Sequence, residues 1–294
     1  MLGLGGLLKS AAFDYIKASS LDHALELRSR YGADGVILAG GQSLIPDLNQ
    51  RFTSAALLID INGLSELSGI DEDEDTIRIG AMSRYREIET HSLIAQYVPM
   101  LKIAIPTIAN PTVRNRGTIG GNIALADPST ELPACLCALD ATIEISRTSS
   151  RRSVTAREFF KGHRENDIKP GEILTSIMIP KIQPGYKSAF DEIARRAGGY
   201  AMCGAAAHAK VEDKIISDLR LVYFSVGNTP VLASNAITAI EGRPINEASL
   251  IEVKVALSTD LNPPDHIHCS GKLRMHYAGE LAKRVIRQLV SNSQ

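Results

Sequence analysis

Thr118-Ile119-Gly120-Gly121-Asn122-Ile123-Ala124-Leu125-Ala126-Asp127-Pro128 is the stretch around which the rest of the chain makes sense. Its paired glycines follow a loop carrying Pro111, Arg114 and Arg116, and a helix-like segment, Ser129 to Leu139, comes just after. Paired glycines admit left-handed backbone angles and bring bare N–H groups close to a ligand. Thr118 and Asn122 flank them with donors and acceptors suited to phosphate and sugar oxygens. A second such stretch lies upstream, Ile37-Leu38-Ala39-Gly40-Gly41-Gln42-Ser43-Leu44, where a short apolar run ends in Gly-Gly. One glycine pair is ordinarily no more than a tight turn. Two of them, about 80 residues apart and both with hydroxyl and amide neighbours, suggest one elongated diphosphate ligand held from two sides.

The neighbourhood of the first pair reads as part of a parallel sheet. Ser19 or Ser20 can cap a helix with Leu21, Ala24, Leu25 and Arg28 on one stripe, ended by Tyr31-Gly32. Gly35 to Ala39 is then a short buried strand, Ser43 to Arg51 a short helix with Pro46 in its first turn, and Ala56 to Ile61 another strand. Strand, turn, helix, strand places the glycines at a strand's carboxyl end, a frequent ligand position. The dinucleotide fingerprint Gly-x-Gly-x-x-Gly is missing, and the early Gly3-Leu4-Gly5-Gly6 follows no strand.

Further along, Asp71-Glu72-Asp73-Glu74-Asp75 separates two apolar runs and reads as an exposed hairpin turn; it lacks the glycine and glutamate spacing of a calcium loop. Helices are expected from Arg84 to Thr90 and around Pro99 to Ile108, a strand from Ala141 to Ser146, and a turn with a short helix from Ser153 to Phe160. Arg151-Arg152 reads as a solvated pair in a loop. Gly171 to Ile179 is an extended run ending in Pro180-Lys181. Beyond Pro180 the texture changes. Ala189 to Arg195, Met202 to Val211 and Ile216 to Val226 read as strands, and Val231 to Glu241, Glu247 to Ser258 and Leu273 to Leu289 as helices. Strands followed by helices indicate an α+β layer, an antiparallel sheet covered on one side. The expected division is residues 1–180, with subunits of fold at about 13–62 and 63–180, and residues 181–294.

The 294 residues, 44% hydrophobic, can bury a substantial core. Lysine plus arginine (32) nearly balances aspartate plus glutamate (33), which leaves no bulk electrostatic case for nucleic acid. The four cysteines, Cys135, Cys137, Cys203 and Cys269, form no C-x-x-C, so neither a zinc nor an iron–sulfur site is expected on this chain. Cys135 and Cys137 sit in an apolar helical run as small hydrophobes, and reduced thiols suit a cytoplasmic protein. Met1 to Leu8 is too short for a membrane span and lacks the layout of a signal peptide; a flexible tail or an early start codon is the expectation. His266-x-His268 lacks acidic or cysteine partners, and no Ser/His/Asp order sits in a nucleophile context, so no catalytic or metal residue is nominated.

At this point a family resemblance becomes specific. Ala39-Gly40-Gly41-Gln42-Ser43-Leu44-Ile45-Pro46, and Thr118 to Asn122 with Asp127-Pro128, resemble the two FAD-binding signatures of molybdenum hydroxylase flavin subunits. That group includes the medium subunit of aerobic carbon monoxide dehydrogenase and the FAD domain of xanthine dehydrogenase. Arg114 to Thr118, Pro170 to Leu174 and Ala194 to Gly198 match in order and spacing, and the resemblance runs from about Phe13 to Leu289.

It implies a two-part FAD-binding domain of the PCMH type, then a C-terminal α+β domain like that of carbon monoxide dehydrogenase flavoproteins. It implies FAD on this chain, its diphosphate held by the backbone of Gly40 to Ser43 and Gly120 to Asn122, helped by Ser43, Thr118 and Asn122. Ile37 and Leu38 would pack near the flavin, Asp127 or Glu131 would accept bonds from ribose or ribityl hydroxyls, and Ile173 and Leu174 would line the adenine or ring pocket. Ala39, Gln42, Leu44 and Ile119 complete the signatures. Tyr200 corresponds to an aromatic close to the isoalloxazine. Two positions depart from the pattern: many relatives carry aspartate where this chain has Gly199, and lysine near Glu192. Iron–sulfur clusters and the molybdopterin cofactor are expected on a small and a large partner subunit, in a dimer of heterotrimers. Electrons would leave to NAD, oxygen, a quinone or another carrier. The rival reading is a stand-alone FAD oxidoreductase with its own substrate pocket.

Overall fold

The computed structural model describes residues 10–291; the readings made for Met1 to Leu8 lie outside them. Three strands at the N-terminal end, Asp14–Lys17, Leu57–Asp60 and Gly35–Leu38, form a wholly parallel sheet in that order, with Gly35 opposite Leu57. The helix Leu21–Tyr31 links the first two in sequence. Ser20 caps it by accepting from the His23 amide, and Gly32, at φ 53°, ends it. Leu21, Ala24, Leu25 and Leu27 are the buried residues of this helix and pack with Leu57 and Ile59. Arg28 lies one turn further along the same face. Its guanidinium turns to the helix end and donates to the carbonyls of Gly32 and Gly35. A second helix, Leu44–Asn49, follows the first glycine pair.

The second sheet has five antiparallel strands in the order Ile70–Glu72, Thr76–Gly80, Ile173–Pro180, Thr142–Arg147, Ser150–Thr155. The acidic run splits between strand and turn. Asp71 pairs with Arg78 inside the hairpin, and the Asp73 amide closes the turn on the Thr76 carbonyl. Ile173–Pro180 is paired on both edges and is buried over most of its length, Thr175 and Ser176 included. Two expectations are corrected here. Ser150–Thr155 is a strand, and the helix is only Ala156–Phe159. Arg152 therefore does not sit in a loop. Its Nε and Nη2 each meet a Glu172 oxygen at 2.8 Å and its Nη1 meets Asp167 at 2.8 Å. Alternation along a short polar strand gives no apolar signal, so the sequence looks like a loop.

The last sheet joins Tyr186–Ala194, Ala201–Glu212, Ile215–Phe224 and Val231–Leu232 as antiparallel neighbours. It was expected to be covered on one side, and both faces are covered. Cys203, Ala205, Ala207 and Ala209 face a core with the helices Ser234–Ile240, Glu247–Asp260 and Gly271–Ser291. Ala206, Val222, Phe190 and Phe224 face the opposite way, into the core that contains Met100, Leu101 and Leu136. Small residues on both faces of one strand let two helical layers approach it, and this is what the run of alanines encodes.

Candidate functional site

A cleft of about 850 Å³ runs between the parallel sheet and the rest of the molecule. That is ample for a large ligand. Its first wall begins where the strand Gly35–Leu38 ends. Gly41 has φ 72°, a left-handed angle that side chains resist. Among the described residues, no protein group accepts from the amides of Gly40, Gly41, Gln42 or Ser43. Four consecutive unused donors at a cleft are suited to an anion. The turn is fixed from outside: the Asn62 side chain donates to the Ala39 carbonyl at 2.8 Å and accepts from Arg84 Nη2 at 2.6 Å, while Arg84 Nη1 reaches the Arg116 carbonyl. Burial, and then the charge of Arg116, holds the Arg84 guanidinium below its usual range. Asn62 and Arg84 tie one glycine pair to the other. Neither is marked by any local pattern.

The second pair is built differently from the expectation. Gly120 and Gly121 lie in the first turn of a helix, Ile119–Leu125, capped by Thr118. Their amides are already spent. Gly120 donates to Ala81, Gly121 to Thr118 Oγ1 and Asn122 to the Thr118 carbonyl. The expected backbone cradle at Gly120 to Asn122 is therefore corrected: this pair offers close approach, not free donors. A β-carbon at Gly120 would lie 2.5 Å from that of Ala81, and one at Gly121 would lie 2.7 Å from Thr118 Oγ1. Gly121 is exposed toward the cleft, and Asn122 stands beside it, bonded to Tyr85 and approached by Thr130 Oγ1 at 3.5 Å.

Of the expected contacts, Ile37, Ala39, Gly40, Gly41, Gln42, Ser43, Leu44, Thr118, Gly120, Gly121, Asn122, Glu131, Ile173, Leu174 and Tyr200 line this cleft. Three do not. Leu38 packs with Leu48, Ala55 and Leu58 beneath the first turn, whereas Ile37, its neighbour on the strand, belongs to another cluster. Ile119 is fully buried in the main core. Asp127 accepts from the Ser129 amide and pairs with Arg164 instead. Arg164 lines the cleft and carried no sequence signal.

Glu131 begins the helix Glu131–Ala138, is 5% exposed, and faces the cleft. Burial, then the nearby Glu192 and Asp127, raises its carboxyl to about 8. Burial likewise raises Glu192 to about 7, and its Oε2 has no partner among the described residues. Glu192 does not line the cleft, so the departure expected to alter the ring face at that position instead sits behind Glu131. Gly199 does line it, with Arg196, Gly198 and Tyr200. This loop is pinned at Gly198, whose φ is 68° and where a β-carbon would lie 2.0 Å from the Ala109 carbonyl oxygen. Tyr200 is 66% exposed at the rim.

The family model for the FAD binding domain in molybdopterin dehydrogenase matches residues 11–182. The chain belongs to that family. A second model, the CO dehydrogenase flavoprotein C-terminal domain, matches residues 188–289. The chain is 39% identical over 256 residues to the glyceraldehyde dehydrogenase medium chain of Sulfolobus acidocaldarius, covering 86% of this chain and 90% of that one. It is 34% identical over 288 residues to the 6-hydroxypseudooxynicotine dehydrogenase complex subunit alpha of Paenarthrobacter nicotinovorans, covering 98% and 97%. Among solved structures, carbon monoxide dehydrogenase from Hydrogenophaga pseudoflava matches with a TM-score of 0.93 at 30% identity, covering 96% of this chain and 98% of that one.

The cleft fits the cofactor of this family. Its free amides suit a diphosphate, its glycine pairs leave room for close approach, and its size suits a dinucleotide. No group of three or more His, Cys, Asp or Glu able to hold a metal occurs among the described residues, and no helix there is long and apolar enough to cross a membrane.

Proposed function

We propose that this chain is the FAD-carrying medium subunit of a multi-subunit molybdenum hydroxylase, passing electrons from a partner iron–sulfur subunit through FAD to an external acceptor. The observation that carries the reading is the row of four unused amides, Gly40 to Ser43, facing the Gly121–Asn122 corner across one cleft. Bound FAD supplies the redox chemistry. The residues of this chain hold and shield it. Gly40 to Ser43 would neutralise the diphosphate, with the Ser43 hydroxyl and the Asn122 side chain as further contacts. Ile37, Ile173 and Leu174 give an apolar wall that excludes water. Glu131 offers a carboxyl to a sugar or ribityl hydroxyl, and Tyr200 stands at the rim near the ring.

The proposal extends to the assembly. Relatives are named as medium chains and complex subunits, which supports partner subunits, one small with iron–sulfur clusters and one large with molybdopterin. A dimer of such heterotrimers in the cytoplasm is the form proposed. Residues 1–180 would form the FAD-binding unit, with parts at about 13–62 and 63–180, and 181–294 the C-terminal unit. The stand-alone oxidoreductase has no observation in its favour.

The test is anaerobic bleaching of the flavin absorption. Purified and loaded with FAD, the chain alone should be reduced by dithionite and show no bleaching by aromatic heterocycles, aldehydes or carbon monoxide. Adding the iron–sulfur and molybdenum subunits should give bleaching with the complex's own substrate. Substrate bleaching in the single chain would overturn the reading.

A further inference from the structure

The two walls of the cleft are joined at the Asn62–Arg84 link, and Arg164 joins them a second time at a solvent-exposed point. Arg164 occupies the turn of a small hairpin, Phe160–Gly162 with Glu165–Asn166, and has φ 55°. The two-residue turn between Gly162 and Glu165 requires such an angle at its second position. The segment after the second glycine pair then holds the hairpin in place. The Arg164 amide donates to the Ala126 carbonyl at 3.1 Å, and Asn166 Nδ2 donates to the Ala124 carbonyl at 2.6 Å. The hairpin is thus stapled to the second wall.

From that anchored position the guanidinium reaches two carboxylates on different walls. Nη1 meets Asp47 Oδ2 at 3.0 Å, on the helix that follows the first glycine pair, and Nη2 meets Asp127 Oδ2 at 3.5 Å. Asp127 is 6% exposed and is itself fixed by the Ser129 amide at 2.9 Å. Arg164 and Tyr200 both line the cleft.

Resting on the FAD reading above, we infer that Arg164, through Asp47 and Asp127, is a latch across the cleft that sets the spacing of its walls and slows the escape of FAD. It is a positioning residue. Its guanidinium side chain is 39% exposed, and ion pairs this exposed contribute little to global stability. What the latch restrains is the relative position of two walls that both hold one ligand. Its removal should therefore show in ligand release and not in the melting of the empty fold. A planar, forked guanidinium addresses the two carboxylates with separate nitrogens, where a lysine would bring a single one.

The experiment uses the full chain loaded with FAD, diluted into excess apo-flavoprotein trap, with release read by the recovery of free-flavin fluorescence. R164A, R164K, D47N and the double variant R164A/D47N are compared with the unmodified chain. R164A and D47N should each release FAD about fivefold faster, which corresponds to roughly 1 kcal/mol. The double variant should be no faster than R164A, and R164K should fall between. The apo forms should melt within about 2 °C of the unmodified apo chain. Unchanged release in R164A overturns the latch. So does fast release in R164A with D47N unchanged, since that pattern means direct contact with the cofactor. If the unmodified chain itself retains no FAD, the functional reading fails, and the latch with it.

Discussion

The backbone at Arg116 passes so close to Gly40 that a β-carbon there would lie 2.4 Å from the Arg116 carbonyl oxygen. The two glycine pairs are thus parts of one packed arrangement. Gly40 is needed for the second pair's approach loop, whereas Gly41 is needed for its own left-handed angle. Replacing Gly40 by Ala should push the loop at Arg116–Gly117 away and lower both melting temperature and FAD affinity. Gly41→Ala meets only Ile45 Cγ1 at 3.3 Å and Leu38 Cδ1 at 3.5 Å. It should cost about 1–2 kcal/mol from the φ alone, and Gly41→Val more. Thermal melts of apo chains beside FAD titrations separate the two. A Gly40→Ala chain as stable as the unmodified one would refute the packing argument.

Gly121 should behave unlike either. Its β-carbon would lie 2.7 Å from Thr118 Oγ1, the atom that caps the helix. Gly121→Ala should therefore displace the cap, costing about 1 kcal/mol of stability, and crowd the cleft. Thr118→Ala should reproduce the stability loss while leaving the room for ligand intact. Comparing FAD affinities of the two variants at matched stability isolates the crowding.

Tyr200 is mostly exposed and makes no hydrogen bond to another described residue. Burial of part of its ring, and then Asp127, holds its hydroxyl above the usual range. Tyr200→Ala should leave the melting temperature within about 2 °C and change the absorption and reduction midpoint of bound flavin. An unchanged spectrum and midpoint would place the ring of the cofactor elsewhere.

The buried acids give the apo chain a signed pH dependence. Glu131 and Glu192 are raised by burial to about 8 and about 7. The folded state therefore holds protons that the unfolded chain has lost. The stability they contribute is complete below the unfolded pKa of about 4.3 and declines as pH rises toward the folded values. Glu131→Gln removes one such group and should flatten that decline. Melting temperatures of the two apo chains, taken from pH 5 to pH 8, should diverge with the variant the more stable at the alkaline end. Parallel curves would mean that Glu131 is ionised in the fold.

Arg152 gives the opposite sign. Its guanidinium holds the Glu172 carboxyl below the usual range. The contribution of this pair is present above the unfolded glutamate pKa and is lost as pH falls through the folded value. Because Arg152 is bidentate to Glu172, unlike Arg164 with its two separate partners, Arg152→Ala should cost about 1 kcal/mol near neutrality, with the deficit shrinking below about pH 4. A deficit independent of pH would show that Arg152 acts through packing.

What the sequence determined by itself was local. The cap at Ser20, the stop at Gly32, the buried run Ile173–Pro180 and the glycine turn after Gly35–Leu38 are all short-range patterns of propensity and period, and the family resemblance is carried by several short segments, each local in sequence. What only the tertiary structure decided was how donors were shared between distant segments. The amides of Gly120 and Gly121 look identical in sequence to those of Gly40 and Gly41, and differ because Ala81 and Thr118 accept from them. Leu38 and Ile119 fall on the far side of their elements because a strand or helix presents neighbouring residues to different faces. Asn62, Arg84 and Arg164 became visible only once the walls they join were in place, since a side chain that bridges segments 32 or 117 residues apart leaves no periodic trace in either.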